Sequence, residues 1–471
     1  MKLENSYLQL PDSFYEKVWP SVMEPASLIA FNKELADKLD PELSSITNKE
    51  ASLLYSGQKL FEGSEPIALA YAGFQFGHPV ALLGDGRAHL LGQLKGYDLQ
   101  LKGSGKTKFS RAGDGNSALG PVLREYIVSE AMHVLGVPTT RALAAVEVDK
   151  KIMRQFGNEP AGIFTRVAKS HLRVGSFQYY AFRNDKESLF KLLDYTLERH
   201  YPEISLDLSF DEKVLKFLES LCQKQADLIA KWSGLGFIHG VMNTDNFSVV
   251  PITIDYGPCA FMDEFEFNKV FSSIDRNGRY AFFNQTQIAK WNMLRLSECF
   301  IAYMSKDEKE NIAAIEELFS HNFDSFDEKR MREFARKLGI TDYRPSDDKI
   351  VMTFLTYLEK TKTDFTLGFR NLDALFLDDT SFYVNHPLLD EFIKKWKDRV
   401  KSVSLKDVNP VIIPRNHLIE DVIDHAYEKN YKPFHLLLRA IESPFSAPRE
   451  FKDFTLPPKP SQKVKQTFCG T

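Results

Sequence analysis

The stretch "HGVMNTDNFSVVPITIDYG", which begins at residue 239, contains three side chains whose oxygens could serve phosphate chemistry. Asn246 and Asp255 offer the hard oxygen ligands that Mg²⁺ prefers when phosphate oxygens complete its coordination shell. Asp245 lies beside Asn246 and could accept a proton from a hydroxyl group. Taken alone, these residues also fit an Asx turn followed by a hairpin, so the three side chains do not decide between the two interpretations.

The spacing of this stretch is that of a protein kinase with one position changed. His239, Asn246 and Asp255-Tyr256-Gly257 follow the kinase patterns H-R-D-x-x-x-x-N and D-F-G. Val241 stands where a kinase has its catalytic aspartate, and a valine cannot accept a proton. The nearest carboxylate that could replace it is Asp245.

Candidates for phosphate binding precede this stretch. The turn Gly84-Asp85-Gly86-Arg87 can approach phosphate oxygens with its backbone because its glycines carry no side chain. Lys102 ends the alternating segment "DLQLK", and Glu125 falls on the helical segment that follows, in the order of the kinase Lys–Glu pair. Each feature alone is more typical of a hairpin turn or a solvated charge. Their common kinase order favours a nucleotide site.

The segments around these residues predict an α+β fold. Residues 66–112 mix short apolar runs with glycine turns, which is typical of an antiparallel sheet, and "ALGPVLREYIVSEAMHVLGV" has nearly helical apolar spacing. From about residue 185, long periodic segments predict helices. We expect a protein-kinase-like bilobal fold with an N-terminal segment and sheet-rich nucleotide-binding lobe (1–150), a mainly helical lobe carrying the metal and catalytic loop (151–442) and an extended C-terminal tail (443–471).

The composition limits the partners and the compartment. A net charge of −4, from 60 basic and 64 acidic residues, argues against a nucleic-acid scaffold or a membrane-surface protein. Neither a signal-peptide pattern nor an apolar run of about 18 residues occurs. The four cysteines have neither CxxC nor zinc-ligand spacing, which suits a reducing compartment. We expect a cytoplasmic protein with small-molecule or protein partners, and neither nucleic acid nor membrane.

Several long motifs, spread over nearly the whole chain, resemble the selenoprotein O family. They are "LGDGRA", "DLQLKGSGKTKFSRAGDG", "LREYIVSEAMHVLGVPTTRAL", "TRVAKSHLRVGSFQ", "HGVMNTDN", "TIDYGPCAFMD", "NGRYAFFNQ" and "NPVIIPRNH". The resemblance implies a kinase-like pseudokinase fold that binds ATP in an inverted orientation. It also implies an adenylyltransferase that transfers AMP to Ser, Thr or Tyr hydroxyls of proteins, including possible self-modification, and releases pyrophosphate.

The resemblance also implies a role for each candidate residue. Lys102 and Glu125 would form the ion pair, Asp245 would be the proton acceptor, and Asn246 and Asp255 would bind Mg²⁺ or Mn²⁺. The residues implied to contact the nucleotide are Gly84, Gly86, Arg87, Lys102, Asp114, Gly115, Arg166, Arg173 and Asp255.

Two questions stay open at this point. Members of the family often end in selenocysteine or cysteine, and this chain has Cys469. The resemblance implies a partner cysteine in the loop after D-Y-G, but the corresponding "NKVFSSID" contains none, and Cys259 better fits a packing role. Whether Cys469 takes part in a redox switch is the first open question. The chain could also be a uridylyltransferase that uses UTP, or a non-catalytic ATP-binding module. Retention of the ion pair together with both metal-ligand candidates argues against the module.

Overall fold

The computed structural model describes residues 1–154 and 157–468. The strands are β1 (Tyr15–Lys17), β2 (Ala26–Phe31), β3 (Ile67–Leu69), β4 (Gly73–Gln75), β5 (His78–Val80), β6 (Ala88–Leu94), β7 (Tyr97–Lys102), β8 (Ser117–Ala118), β9 (Arg141–Arg154), β10 (Gly157–Ala168), β11 (Phe237–Ile238) and β12 (Ala260–Phe261).

The α-helices alternate with the strands up to residue 168 and dominate the chain from residue 174 onwards. They are α1 (Lys33–Leu39), α2 (Pro41–Ser44), α3 (Asn48–Tyr55), α4 (Leu119–Val134), α5 (Val174–Ala181), α6 (Lys186–His200), α7 (Phe210–Leu235), α8 (Gln285–Ile301), α9 (Glu308–Asn322), α10 (Asp324–Lys337), α11 (Asp348–Thr361), α12 (Phe365–Arg370), α13 (Leu372–Phe376), α14 (Pro387–Arg399), α15 (Asn416–Tyr427) and α16 (Lys432–Ile441).

One antiparallel sheet organises the first part of the chain, with the strand order β1-β3-β6-β7-β10-β9-β2 and β8 paired to β10. A two-residue turn, Lys95-Gly96, joins β6 to β7, and both residues have positive φ, as type I′ hairpin turns require. Alternation along β7 sends Leu99 and Leu101 to the core shared with α1–α3. Gln100 and Lys102 therefore point to the opposite face, on which α4 packs.

The predicted mixed α/β composition with an antiparallel sheet is confirmed, while the bilobal arrangement and the domain boundaries stay predictions. Strand β9 pairs with β10 in a hairpin, and residue 150, where the first predicted domain ends, lies within β9. A second large core lies among α10, α11 and α14, where Trp396 and Phe392 are fully buried. Within the described part of the chain, no helix is both long and apolar enough to cross a membrane.

The loop that holds Asp245 and Asp255 is fixed at both ends. Helix α7 begins with a Ser209/Glu212 capping box and ends at Gly236, whose φ of 66° is the left-handed conformation that glycine adopts readily. Strands β11 and β12 follow and pair with each other, Phe237 opposite Phe261. Residues 239–259 therefore form a closed loop between two paired strands.

The C-terminal segment packs against this same region. Thr467 forms a parallel bridge with Ser272, and its hydroxyl donates to the carbonyl of Pro258 at 2.6 Å. Lys463 lies within 2.5 Å of Glu264. Cys469, the candidate for a redox role, lies outside the described residues, and Cys259 is buried.

Candidate active site

A cavity of about 820 Å³ lies between the sheet and the loop at 239–259. Its walls include every candidate residue named from the sequence except Glu125, which lies behind Lys102: Gly84, Gly86, Arg87, Lys102, Asp114, Gly115, Arg166, Arg173, Asp245, Asn246 and Asp255. The structure thus brings together residues from five separate segments of the chain.

Charged side chains meet in a buried cluster at the floor of this cavity. Lys102 Nζ lies 2.6 Å from Glu125 Oε2 and 3.0 Å from Asp255 Oδ1. Arg166 Nη1 lies 2.7 Å from Asp255 Oδ1 and 3.1 Å from Glu125 Oε1, and Arg173 Nη2 lies 3.2 Å from Asp255 Oδ2. Three cations therefore share two carboxylates, which leaves the cluster with a net positive charge suited to phosphate.

Strand register and one unusual backbone angle build the cluster. Lys102 on β7 lies opposite Phe164 on β10, two residues before Arg166, and α4 places Glu125 above them. Asp255 has a φ of 62°, which a non-glycine residue adopts at some cost and which aspartate tolerates better than most. Burial raises the pKa of the Asp255 carboxyl, but Arg166, Arg173 and Lys102 outweigh burial and hold it well below its ordinary value.

Asp245 lies at the edge of the cluster in a different environment. Burial raises the pKa of its carboxyl to about 6, against the opposing effect of Arg173. Its Oδ1 atom is buried and has no hydrogen-bond partner among residues 1–154 and 157–468. Arg173 Nη1 donates to the backbone carbonyl of Asp245 at 2.8 Å, which fixes the loop while leaving that carboxylate oxygen uncommitted.

The small hairpin of β4 and β5 packs directly on the segment before Asp245. The backbone N–H of Phe74 donates to Thr244 Oγ1 at 2.7 Å, and that of Phe76 donates to Asn243 Oδ1 at 2.9 Å. A Cβ atom at Gly73 would lie only 2.9 Å from Asp245 Oδ1. These contacts join residues about 170 positions apart, and no periodic pattern in the sequence indicates them.

Asn246 and Asp255 both line the cavity, as a shared metal would require. The Asn246 amide donates to the Val241 carbonyl at 3.1 Å, which determines which end of the amide is the nitrogen. Among the described residues, no group of three or more His, Cys, Asp or Glu side chains is arranged to hold a metal ion. One amide oxygen and one carboxylate fit Mg²⁺ or Mn²⁺ when phosphate oxygens supply further ligands.

The glycines that line the cavity are closely packed against neighbouring segments. Gly84 has a φ of 78°, and a Cβ there would lie 2.3 Å from the ring of Phe109. Gly115 has a φ of 76°, and a Cβ there would lie 2.3 Å from the Gly105 backbone. Asp114 is held by Arg154 through two hydrogen bonds of 2.9 and 3.1 Å. Arg154 follows Asp114 by 40 residues, and no local pattern in the sequence predicts this pair.

Gln100 and Asp85 also belong to this site, and sequence reasoning did not assign either of them. Gln100 precedes Lys102 by two residues on a strand, so the period of two could have placed both on the cavity face. Its amide contacts Arg166 and Asp85, and all three side chains are buried.

Comparison with known proteins identifies the family. A family model described as "Protein adenylyltransferase SelO" matches residues 1–442. This chain belongs to the SelO family. Its relatives include proteins named "Protein nucleotidyltransferase YdiU" from Rhodopseudomonas palustris strain BisB5 (44% identical, 99% of both chains), Agrobacterium fabrum strain C58 (42%, 100% of both) and Bradyrhizobium sp. strain ORS 278 (43%, 99% of both). The resemblance to the selenoprotein O family is therefore confirmed.

Proposed function

We propose that this SelO-family chain is a protein nucleotidyltransferase that moves AMP from ATP to a Ser, Thr or Tyr hydroxyl of a protein and releases pyrophosphate. The family name supports an adenylyltransferase with protein substrates. We also propose that the sheet-rich and helical parts are the two lobes of a kinase-like fold, that the C-terminal segment is a tail, and that the protein works in the cytoplasm.

One observation carries this proposal: a buried cluster of three cations lies in the same cavity as the carboxylate of Asp245. Lys102, Arg166 and Arg173 converge on Asp255 within 3.2 Å. Asp245 faces the same cavity with an uncommitted buried oxygen. Phosphate anions would be stabilised by the cations, and a hydroxyl beside Asp245 would meet a base whose pKa of about 6 is near neutral pH.

The reaction that fits this arrangement is attack of a protein hydroxyl on the α-phosphorus of ATP. Asp245 takes the hydroxyl proton as the new oxygen–phosphorus bond forms. The bond between the α-phosphorus and the oxygen bridging to the β-phosphorus breaks, and pyrophosphate leaves with that oxygen. Lys102, Arg166 and Arg173 stabilise the negative charge that develops on the phosphate oxygens and on pyrophosphate.

Asn246 and Asp255 are the residues we propose to hold Mg²⁺ or Mn²⁺. A divalent cation bound there would neutralise phosphate charge and help to orient the triphosphate. The residues that contact the nucleotide would be Gly84, Gly86, Arg87, Lys102, Asp114, Gly115, Arg166, Arg173 and Asp255, with Glu125 fixing Lys102.

Phosphoryl transfer by the kinase route is disfavoured by the same loop. In kinases an aspartate two residues after the histidine orients the acceptor hydroxyl. Here that residue is Val241, which is apolar and buried, and its carbonyl accepts a hydrogen bond from Asn246.

Intact-mass spectrometry of the purified protein, incubated with Mg²⁺ and either ATP or UTP, tests this proposal. We expect the protein, or a protein added as acceptor, to gain the mass of one AMP with ATP. The matched control is Asp245→Asn, which has the same shape but a far weaker base, and it should bind ATP without transferring AMP. A gain of UMP from UTP alone would assign the chain to uridylylation. Binding with no transfer under any condition would leave the non-catalytic module.

A further inference from the structure

A second layer of buried polar side chains lies behind the cation cluster. Antiparallel pairing of β7 with β10 places Gln100 directly opposite Arg166. On the other side of Gln100 lies Asp85, in the glycine turn that follows β5. We call Asp85, Gln100 and Arg166 the buried relay. Their exposures are 4%, 0% and 1%, so water cannot replace the hydrogen bonds among them.

The contacts of the relay fix the direction of the Gln100 amide. Its oxygen accepts from Arg166 Nε at 3.2 Å and from Arg166 Nη2 at 2.6 Å. Its nitrogen donates to Asp85 Oδ2 at 3.1 Å, and the backbone N–H of Leu69 donates to the same oxygen at 3.3 Å. A reversed amide would place its NH2 group against the N–H donors of Arg166 and its oxygen against the carboxylate of Asp85. Only the observed orientation therefore satisfies every group.

This arrangement leaves one edge of the Arg166 guanidinium for the cavity. With Nε and Nη2 committed to Gln100, Nη1 is the atom that reaches Asp255 at 2.7 Å and Glu125 at 3.1 Å. Without the hydrogen bonds to Gln100, the Arg166 side chain would sample several rotamers. Binding of an anion in the cavity would then cost the conformational entropy of fixing one of them.

The chemistry of residue 100 matters as much as its position. An amide oxygen orients a guanidinium without neutralising it, whereas a carboxylate at the same place would compete with phosphate for the positive charge. Arg166 therefore keeps its charge for Asp255 and for any anion that enters the cavity.

We propose that Gln100 is a positioning residue that acts through Arg166. Its neutral amide holds the guanidinium with Nη1 aimed at the nucleotide phosphates, and Asp85 fixes that amide. This inference rests on the proposed function, since it assumes that Arg166 meets a phosphate.

A four-protein cycle tests the inference: wild type, Gln100→Leu, Arg166→Met and the double variant. The readouts are ATP affinity by calorimetry and thermal stability by circular dichroism. We expect Gln100→Leu to weaken ATP binding at least about tenfold, because hydrogen bonds to charged groups are of this strength. In the Arg166→Met background, Gln100→Leu should change ATP affinity less than about twofold, since no guanidinium remains to be positioned.

The two readouts together separate positioning from a purely structural role. The double variant should be less stable than Gln100→Leu alone, because Arg166→Met also breaks the buried ion pairs with Asp255 and Glu125, so ATP affinity is the readout that identifies positioning. Equal ATP affinity of wild type and Gln100→Leu, with only stability reduced, would overturn the inference. So would a further loss of affinity in the double variant beyond that of Arg166→Met.

If Gln100→Leu does not fold, the exchange Asp85→Asn with Gln100→Glu keeps the hydrogen bonds of residue 100 with Arg166 and with residue 85, gives up the one from the Leu69 N–H, and moves the carboxylate beside Arg166. We expect ATP affinity to fall at least about fivefold in this pair, because the carboxylate then neutralises the guanidinium. Unchanged affinity would contradict the inference. If the wild type binds ATP and transfers AMP and these variants behave in the same way, the role of the buried relay is refuted but the proposed function is not. If the wild type binds no ATP, the proposed function is refuted as well.

Discussion

Replacing Asp255 with alanine should uncouple metal binding from nucleotide binding. In the structure the two carboxylate oxygens of Asp255 are already engaged, Oδ1 with Lys102 and Arg166 and Oδ2 with Arg173. In the proposed function, the phosphates of ATP would compete with Asp255 for these same cations. A divalent metal held by Asp255 would relieve this competition, because it would give the carboxylate another positive partner and leave the cations for phosphate.

The magnitude follows from the distances. Unit charges 3.0 Å apart, as between Lys102 and Asp255, attract by about 5.5 kcal/mol at an effective dielectric constant of about 20. Desolvation offsets much of this attraction, and breaking a buried pair by removing one partner typically costs about 3–5 kcal/mol. Asp255→Ala should therefore destabilise the unliganded protein by about that amount. ATP, which brings anions to three cations that then share only Glu125, should recover most of the loss.

Titration calorimetry with ATP, performed with Mg²⁺ and with EDTA, measures the uncoupling. In the wild type we expect Mg²⁺ to tighten ATP binding at least about tenfold, or about 1.4 kcal/mol. In Asp255→Ala we expect less than a twofold effect of Mg²⁺, while affinity for metal-free ATP is equal to the wild type or tighter. Circular dichroism at the titration temperature would establish that the variant is folded. An equal Mg²⁺ effect in both proteins would refute the assignment of Asp255 as a metal ligand and the competition argument with it.

Three further predictions follow from the neighbouring contacts. The pH profile of kcat/KM should rise as Asp245 ionises and level off above its pKa of about 6, because the base must be deprotonated to accept a proton; a midpoint near pH 4 would contradict this role. Gly73→Ala should lower kcat about tenfold with little change in ATP affinity, because the new methyl group would lie 2.9 Å from Asp245 Oδ1; an unchanged kcat would show that the hairpin tolerates the shift. Truncation before Lys463 should lower the transfer rate, because it removes the Thr467 contacts with Pro258 and Phe271. The control, Cys469→Ser, should keep the wild-type rate in reductant. Equal rates for the truncated and full-length proteins would refute a role for these contacts.

The sequence indicated the floor of the cavity well because periodic elements carry it. Lys102 ends the alternating segment "DLQLK" and Glu125 falls on the predicted helix that follows, and in the structure their charged groups lie 2.6 Å apart. The motif from His239 to Gly257 likewise brings Asn246 and Asp255 into one cavity. What these residues bind stays a proposal, because geometry alone does not assign a role.

The remaining contacts depend on long-range packing that no local pattern encodes. Arg154 reaches Asp114 across 40 residues, and Phe74 reaches Thr244 across 170. The positive φ of Asp255 is also invisible in the sequence, since aspartate is common in ordinary turns. Gln100 was missed for a different reason: glutamine is neutral, and its role depends on the charged groups on either side of it.

The most direct test of AMP transfer compares two labels on one protein sample. Wild-type protein is incubated with Mg²⁺ and ATP labelled either at the α-phosphate or at the γ-phosphate, then denatured and separated from free nucleotide, with Asp245→Asn treated in parallel. Attack on the α-phosphorus predicts that only the α-label remains covalently bound and that Asp245→Asn loses it. Retention of the γ-label without the α-label would contradict the account and assign this chain to phosphoryl transfer.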